Sequence, residues 1–216
     1  MIQQIDLIVF DLDGTLADSL PDLTNAANYA CRSLGLPEHP AEAVKGMIGG
    51  GERKFVERFL GPGKEGLLEE GLKLYLDYYS SHCGDLTRIY PGVKETLPLL
   101  AGKKLAVLSN KLQRLTEKVL RTLGLFPFFA AVRGGGRGLP LKPAPEPLLD
   151  LMQELQTEPG HTLMVGDKTA DVSAGRGAGA LTLGVTYGYG DPEVLKAAAP
   201  DFLVDDFAAI PGILLP

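Results

Sequence analysis

Short apolar runs alternate along the chain with segments of helical periodicity. Six runs contain almost no charged residues, which favours strands buried on both faces of a sheet. They are Leu7–Phe10, Leu105–Leu108, Phe129–Val132, Leu163–Val165, Leu181–Val185 and Phe202–Val204. Between them, apolar residues recur at helical spacing, as in the stripe of Leu112, Leu115, Val119 and Leu123 that ends at Gly124. Alternating strands and helices imply right-handed crossovers, so the pattern predicts an α/β fold with a parallel sheet and helices on both faces.

Residues 17–86 show helical stripes and no strand pattern. One stripe runs from Leu23 to Leu34, with Ser19 as its expected N-cap and Gly35 after its end. Two further helices are expected around Phe55 and from residue 68 to residue 79. We therefore expect an inserted all-helical cap domain over residues 17–86, and a core formed by residues 1–16 and 87–216.

Composition and charge narrow the classes of function. The chain has 216 residues, a net charge of -6 and a pI of about 5.1, so it lacks the basic surface of a nucleic-acid-binding protein. Its two cysteines and three histidines show neither disulfide nor zinc spacing. The N-terminal segment has no basic region, and no apolar stretch approaches the roughly 18 residues of a membrane span. These features indicate a cytoplasmic protein without a membrane or nucleic-acid partner.

Two carboxylates follow the first predicted strand directly. Asp11 and Asp13 are two residues apart, and Gly14 allows the chain to turn so that both reach one small volume. Ligands of open parallel sheets bind beyond the carboxyl ends of the strands, where this turn lies. Two carboxylates there would repel each other unless a proton or cation lies between them, and Mg²⁺ suits oxygen ligands. The alternative interpretation is an ordinary polar turn.

Polar residues also follow two later strands, and a lysine lies in a loop between those strands. Ser109 and Asn110 come at the end of the second core strand, where a hydroxyl could bind a phosphate oxygen or simply cap a helix. Lys142 stands before the rigid Pro143 and could meet a phosphoryl group, although an isolated loop lysine is more often solvated. Asp167 and Asp171 follow another strand, and Asp171 would also suit a helix N-terminus.

Together these segments resemble the four signature motifs of the haloacid dehalogenase superfamily, in order and in type. The matching stretches are FDLDGTLADS, LSNK, LKPAPEPL and VGDKTAD. The resemblance spans almost the whole chain and is closest to phosphoglycolate phosphatase-like members with a small helical cap. It implies a Rossmann-like core and a Mg²⁺-dependent phosphatase acting on a small phosphate ester, as a monomer or homodimer.

The resemblance also implies individual roles. Asp11 would be the nucleophile and Asp13 the general acid and base, with Ser109 and Lys142 completing the catalytic set. Thr15 and Asn110 would join Ser109 in binding the substrate. The ligands of Mg²⁺ would be Asp11, Asp167 and the backbone carbonyl of Asp13. Asp171 would support the metal from just outside or through water.

The cap contributes one candidate subsite. Gly49, Gly50 and Gly51 open a helix and expose N–H groups that could hold a substrate carboxylate, with Arg53 adding a planar donor. The alternative is a flexible loop with a solvated arginine. One departure from the family pattern lies in the core, where Lys168 replaces the usual Ser or Thr after the metal-binding aspartate and would weaken metal binding if it pointed inward.

Three other functions on this fold remain open. A phosphomutase often has an apolar residue where this chain has Thr15, and a haloacid dehalogenase typically lacks the second aspartate, here Asp13. A non-catalytic binding protein would not need the intact set of Asp11, Asp13, Lys142 and Asp167. Phosphoglycolate, pyrophosphate, a nucleotide or a sugar phosphate would all suit the same core, so the substrate is not settled by sequence.

Overall fold

The apolar runs form a parallel six-stranded sheet in a computed structural model that describes residues 4–214. The strands in this sheet are β1 (Leu7–Phe10), β4 (Lys104–Leu112), β5 (Ala131–Gly135), β6 (Thr162–Gly166), β7 (Leu181–Val185) and β8 (Phe202–Val204). Their order is β5-β4-β1-β6-β7-β8. In the central register Phe10 of β1 lies opposite Val107 of β4 and Val165 of β6. The carboxyl ends of β1, β4 and β6 therefore lie side by side.

Both faces of the sheet are covered, as the uninterrupted apolar strands predict. Leu7 and Val9 of β1 pack into one apolar cluster with Leu148 and Leu151, while the alternate residues of β1 pack into the opposite cluster. The helices of this part of the chain are α5 (Val93–Thr96), α6 (Gln113–Thr122), α7 (Glu146–Glu154), α8 (Thr169–Gly177), α9 (Pro192–Ala197) and α10 (Ile210–Leu214). The predicted α/β class with helices on both faces is confirmed.

The inserted segment is helical, as predicted. Its helices are α1 (Leu20–Ser33), α2 (Ala41–Met47), α3 (Gly51–Leu60) and α4 (Leu68–His82), with a short 3₁₀ turn at Glu65–Leu67. Phe55, Phe59, Tyr75 and Tyr79 pack edge-to-face and stacked between α3 and α4. This aromatic cluster gives the small cap an apolar centre that joins the main core.

A two-stranded antiparallel ribbon was not expected from the pattern. β2 (Ala17–Asp18) pairs with β3 (Arg88–Ile89) where the chain leaves and re-enters the sheet domain. Two-residue strands are too short to show a periodicity, so the sequence analysis missed them. The ribbon lies at the two expected domain boundaries.

Strand β4 also differs from expectation. Leu112, expected on the helical stripe, is the last residue of β4. The pairing of β4 with β5 is irregular between Leu108 and Leu112, and such irregularities re-aim side chains near active sites. The strand expected from Phe129 begins at Ala131 instead, because a 3₁₀ turn at Phe126–Phe128 precedes it.

None of the helices within residues 4–214 is long and apolar enough to span a lipid bilayer.

Candidate active site

Asp11 stands at the end of β1, in the middle of the sheet edge. Its backbone N–H donates to the carbonyl of Val165, so the pairing with β6 continues to this residue. Its Oδ1 accepts from the N–H of Leu12 at 2.7 Å. The chain then turns at Gly14, whose φ of +90° suits glycine. A Cβ on Gly14 would stand only 2.4 Å from Oδ2 of Asp167, so this close approach also requires glycine.

Lys142 bridges the carboxylates of two different segments. Its Nζ lies 3.0 Å from Oδ1 of Asp11 and 2.7 Å from Oδ1 of Asp171, and it donates to the carbonyl of Leu108 at 2.7 Å. The ammonium therefore has one hydrogen-bond acceptor and two ion-pair partners within 3.0 Å. The two carboxylates favour the charged lysine and, against the effect of its burial, raise its pKa. The alternative of a solvated loop lysine is wrong.

Asn110 holds the Lys142 segment in place. Its Nδ2 donates to the carbonyl of Lys142, and its Oδ1 accepts from the N–H of Lys142, each at 2.8 Å. Because both ends of the amide are used, Asn110 lines the cavity chiefly as a support for Lys142. Ser109 lies beside it, buried at the wall of the same cavity.

Asp11, Asp167 and Asp171 form a carboxylate cluster of the kind that holds a metal. One oxygen from each lies within 4.8 Å of the others. Oδ2 of Asp167 accepts from the N–H groups of Tyr189 and Gly190, whereas its buried Oδ1 has no hydrogen-bond partner within residues 4–214. A buried carboxylate oxygen without a donor is costly unless a cation approaches it. The residues therefore fit Mg²⁺, a hard ion that prefers oxygen ligands.

Burial and crowding raise the pKa values of two of these carboxylates. Burial raises the pKa of Asp11 to about 7; Lys142 opposes that rise, and Asp171 and Asp167 add to it. Burial likewise raises the pKa of Asp167 to about 6, and the charge of Asp171 adds to the effect. A divalent cation between these groups would favour their charged forms.

Asp13 points to a different set of partners from Asp11. Its Oδ1 accepts from the hydroxyl of Ser19 at 2.5 Å and from Nζ of Lys111 at 2.7 Å. Ser19 does precede α1, but its side chain makes no capping bond, because its hydroxyl is used on Asp13. The carboxylate of Asp13 is thus outside the metal-type cluster, which leaves its backbone carbonyl as the expected ligand.

Three residues of the site were missed by the sequence analysis. Lys111 is buried and also donates to the hydroxyl of Tyr79, which comes from the cap. Glu52, at the start of α3, accepts from the N–H of Leu112 at 2.8 Å. A buried lysine next to Ser109 and Asn110 could have been suspected from its position, but the two cap residues carried no sequence signal.

The glycine loop of the cap reaches the site, whereas Arg53 does not. Gly49, Gly50 and Gly51 line the cavity that contains Asp11. Arg53 lies outside this cavity, with its half-exposed guanidinium 2.7 Å from Glu69. Its neighbour Glu52 is the α3 residue that turns inward, because one residue along a helix rotates the side chain by about 100°.

Thr15 differs from its expected place, and Lys168 has a partner that the sequence did not indicate. Thr15 is fully buried and does not line the cavity, and its backbone carbonyl accepts from the hydroxyl of Tyr187. Lys168 does line the cavity, but its Nζ donates to the carbonyl of Ile48 in the cap at 2.5 Å. Its ammonium is therefore bound to the cap and not to a carboxylate, although its charge still lowers the pKa of Asp167.

The cavity between the sheet edge and the cap is small. Its volume is about 80 Å³, and its wall includes both catalytic-type carboxylates, three lysines and the glycine loop. Its wall carries four carboxylates and three lysines, so a compact phosphate ester would meet the lysines while a cation offsets the carboxylates.

The fold and the site together define an α/β enzyme with an aspartate–lysine centre under a helical cap. The family model for haloacid dehalogenase-like hydrolases matches residues 5–179. This chain therefore belongs to the haloacid dehalogenase-like hydrolase family.

Named relatives extend the match over nearly the full chain. The phosphoglycolate phosphatase of Vibrio parahaemolyticus is 37% identical over 217 residues, which covers 96% of this chain and 95% of that protein. The phosphoglycolate phosphatase of Haemophilus influenzae is 38% identical, covering 99% of this chain and 100% of that protein. Among solved structures, a predicted phosphoglycolate phosphatase from Haemophilus somnus 129pt aligns with a TM-score of 0.91 and 33% identity over 99% of both chains.

Proposed function

We propose that this chain hydrolyses a small phosphomonoester through an aspartyl-phosphate on Asp11, and that its preferred substrate is 2-phosphoglycolate. The protein is a phosphoric monoester hydrolase, as its family and its named relatives support. The single observation that carries the proposed mechanism is the contact between Lys142 and both Asp11 and Asp171 at the sheet edge. This lysine can neutralise a charged nucleophile while an anionic substrate approaches it.

In the first step, an oxygen of Asp11 attacks phosphorus and the leaving oxygen departs on the opposite side. Asp13 is the expected acid that donates a proton to that oxygen. Ser109 and the ammonium of Lys142 would bind the phosphoryl oxygens. When bound among Asp11, Asp167 and Asp171, Mg²⁺ would supply charge that offsets the dispersed negative charge of the transferring group.

In the second step, water hydrolyses the phosphorylated Asp11. Asp13, having given up its proton, would now accept one from the attacking water. The cap covers the cavity through Glu52, Lys111 and Lys168, so bulk water has limited access during the first step. Two successive reactions can thus use one pair of carboxylates.

The size of the cavity supports a small substrate. A volume of about 80 Å³ leaves little room beyond a phosphoryl group in this closed arrangement. A two-carbon acid such as the one in phosphoglycolate adds only a few atoms, whereas a nucleotide adds a base and a sugar. The names of the full-length relatives point to the same substrate.

We propose further that the β2–β3 ribbon is the junction between the two domains. The ribbon holds the entry and exit of the cap in one place, and Asp22 of α1 accepts from the N–H groups of Leu86 and Thr87 across the junction. Residues 1–16 and 87–216 would then form the core and residues 17–86 the cap.

Replacement of the nucleophile tests the proposal. Asp11→Asn should lower turnover of 2-phosphoglycolate by about 10³-fold or more, because a carboxamide is a far poorer nucleophile. Released phosphate would be measured with Mg²⁺ present, and circular dichroism would verify folding. Lys94→Met, a change at an exposed residue of α5, is the control for effects of mutagenesis and purification and should keep full activity.

A folded Asp11→Asn protein that keeps more than about a tenth of wild-type turnover would exclude the aspartyl-phosphate route. Trapping would add a direct measurement, since the wild-type protein mixed rapidly with substrate and quenched in acid should carry phosphate on the peptide that contains Asp11.

A further inference from the structure

Three ammonium groups line the cavity, and they differ in how many of their hydrogens are engaged. Lys142 forms one hydrogen bond and two ion pairs with the partners described above. Lys111 uses two, on Asp13 and Tyr79. Lys168 donates only to a backbone carbonyl and has no carboxylate within ion-pair distance in residues 4–214. Among the three lysines of this wall it is therefore the one that forms no ion pair, and its charge acts on Asp167 only at longer range.

The surroundings of Lys168 place that charge at the cap side of the cavity. Its Nζ bonds to the carbonyl of Ile48, and a Cβ built on Gly49 would lie 3.5 Å from the same nitrogen. The backbone N–H groups of Gly49 and Gly50 donate no hydrogen bond within residues 4–214. One charged donor and two amide donors thus occur together beside the opening of α3.

The cap loop is held rigidly enough to present these donors. From within the cap, Arg58 donates to the carbonyls of Met47 and Gly49 at 2.7 and 2.5 Å. From the core, Lys168 holds the carbonyl of Ile48 between them. Three successive carbonyls are therefore held by cations. Because these peptides are trans, the N–H of Gly49 points away from the Lys168 ammonium, whereas the N–H of Gly50 points away from Arg58.

We propose that Lys168 is the specificity-determining residue that binds the carboxylate of the substrate, together with the amide of Gly50. This inference rests on the proposed phosphatase function and deepens it, since it identifies the group that selects a carboxylate-bearing phosphate ester. It assigns to Lys168 the role that the sequence suggested for Arg53. The proposal also explains why a lysine stands after Asp167 in place of Ser or Thr, because this longer cationic side chain reaches the cap rather than the metal ligands.

A matched pair of substrates separates recognition of the carboxylate from a general effect on the cap. 2-Phosphoglycolate and ethyl phosphate have the same two-carbon length, but only the first carries a carboxylate. Lys168→Met should lower kcat/KM for 2-phosphoglycolate roughly 10- to 100-fold, mainly through a higher KM, as expected for loss of a charge-assisted bond. Turnover of ethyl phosphate should change less than about threefold.

Conservative and control variants sharpen the result. Lys168→Arg keeps the cation and should recover most of the loss, whereas the uncharged Lys168→Gln should not. Lys94→Met removes one positive charge from an exposed site and should leave both substrates unaffected.

Product inhibition supplies a readout that does not depend on turnover of the natural ester. Glycolate should inhibit the hydrolysis of ethyl phosphate by the wild-type protein, and Lys168→Met should weaken that inhibition roughly 10-fold or more. Inhibition by inorganic phosphate should stay the same in both proteins, because phosphate binds at Ser109 and Lys142.

Equal losses on both substrates would overturn the proposal and assign Lys168 to cap closure alone. Unchanged kinetics on both would overturn it too. These results differ from failure of the underlying function, in which wild-type protein would not release phosphate from either ester, or Asp11→Asn would remain active.

Discussion

The carboxylate of Asp13 is held through one oxygen. Ser19 and Lys111 both donate to Oδ1, and no hydrogen bond within residues 4–214 reaches Oδ2. Two donors on one oxygen fix the rotation of the carboxylate and leave the other oxygen for the proton that the reaction moves. Because Lys111 also donates to Tyr79 of the cap, the orientation of Asp13 depends on contacts from both domains.

Removal of Lys111 should therefore impair proton transfer more than phosphoryl binding. Lys111→Met should lower kcat for an alkyl phosphate roughly 10- to 100-fold, a part of what general acid catalysis contributes. p-Nitrophenyl phosphate should lose much less, since its leaving group needs no proton. Initial rates on both esters, with Lys94→Met as control, would measure the difference. Equal losses on the two esters would argue that Lys111 has only a structural role.

At the scale of the element, α3 is the part of the cap that meets the core most directly. The glycine loop leads into its first turn, which supplies Glu52, whose carboxylate accepts from the N–H of Leu112 at the end of β4. The contact satisfies a backbone N–H that precedes α6 and would otherwise lack an intrahelical partner. Burial raises the pKa of Glu52, so its negative charge is disfavoured in the folded protein.

Two substitutions of Glu52 should shift thermal stability in opposite directions. Glu52→Gln keeps the acceptor and removes the buried charge, so Tm at pH 7.5 should rise, by about 2–4 °C for each 1 kcal/mol gained. Glu52→Ala leaves the N–H of Leu112 without its acceptor and should cost about 1–3 kcal/mol. Scanning calorimetry of both variants would test this, with Glu70→Gln at an exposed site of α4 as the control.

The sign of the pH dependence follows from the raised pKa. A carboxyl group whose pKa is higher in the folded protein destabilises the fold above that pKa, and the penalty disappears below its unfolded value of about 4.5. The advantage of Glu52→Gln over wild type should therefore shrink as the pH is lowered from 7.5 towards 4.5. An advantage that stayed constant or grew would contradict a buried charge as its source.

At the scale of the whole molecule, the sheet edge gathers more negative charge than its own lysines neutralise. Asp11 and Asp171 share the ammonium of Lys142, Asp167 pairs with no lysine within residues 4–214, and burial strengthens the repulsion among the three. The domain therefore stores an unfavourable interaction that a bound divalent cation would relieve. Stability and metal binding should be linked as a consequence.

Mg²⁺ should raise the Tm of the wild-type protein without any substrate. At a concentration of 100 Kd the expected stabilisation is about 2.7 kcal/mol, or roughly 5–10 °C for a chain of this size. Asp167→Asn should raise Tm in the absence of metal, because it removes one of the repelling charges, and should abolish the shift caused by Mg²⁺. Differential scanning fluorimetry in chelator and in Mg²⁺ would measure both effects.

Calcium offers a further comparison. Ca²⁺ should also raise Tm but inhibit turnover, because a larger ion accepts more oxygens and would let Asp11 bind with both of its own. Full activity in excess chelator, or no change of Tm with either ion, would contradict a metal at this cluster.

Much of the fold could be predicted from periodicity because buried parallel strands need uninterrupted apolar residues. Leu7–Phe10 and Leu181–Val185 coincide with strands of the sheet. The ends of these strands then identified Asp11 and Asp167, since parallel strands bring their carboxyl ends to one edge. The β2–β3 ribbon and the late end of β4 escaped prediction, because they depend on pairing between distant segments and not on local pattern.

The sequence by itself determined the class of fold, the family and the central carboxylates, because those depend on short motifs whose neighbours are close along the chain. The tertiary structure alone decided which cations meet which anions. Lys111 reaches Asp13 across 98 residues of sequence, and Lys168 reaches Ile48 across 120. The tertiary structure also directs Glu52 inward and leaves Arg53 on the surface, because of the angle at which α3 packs on the core. The direction of each side chain in the cap depends on that packing and cannot be predicted from the local sequence pattern.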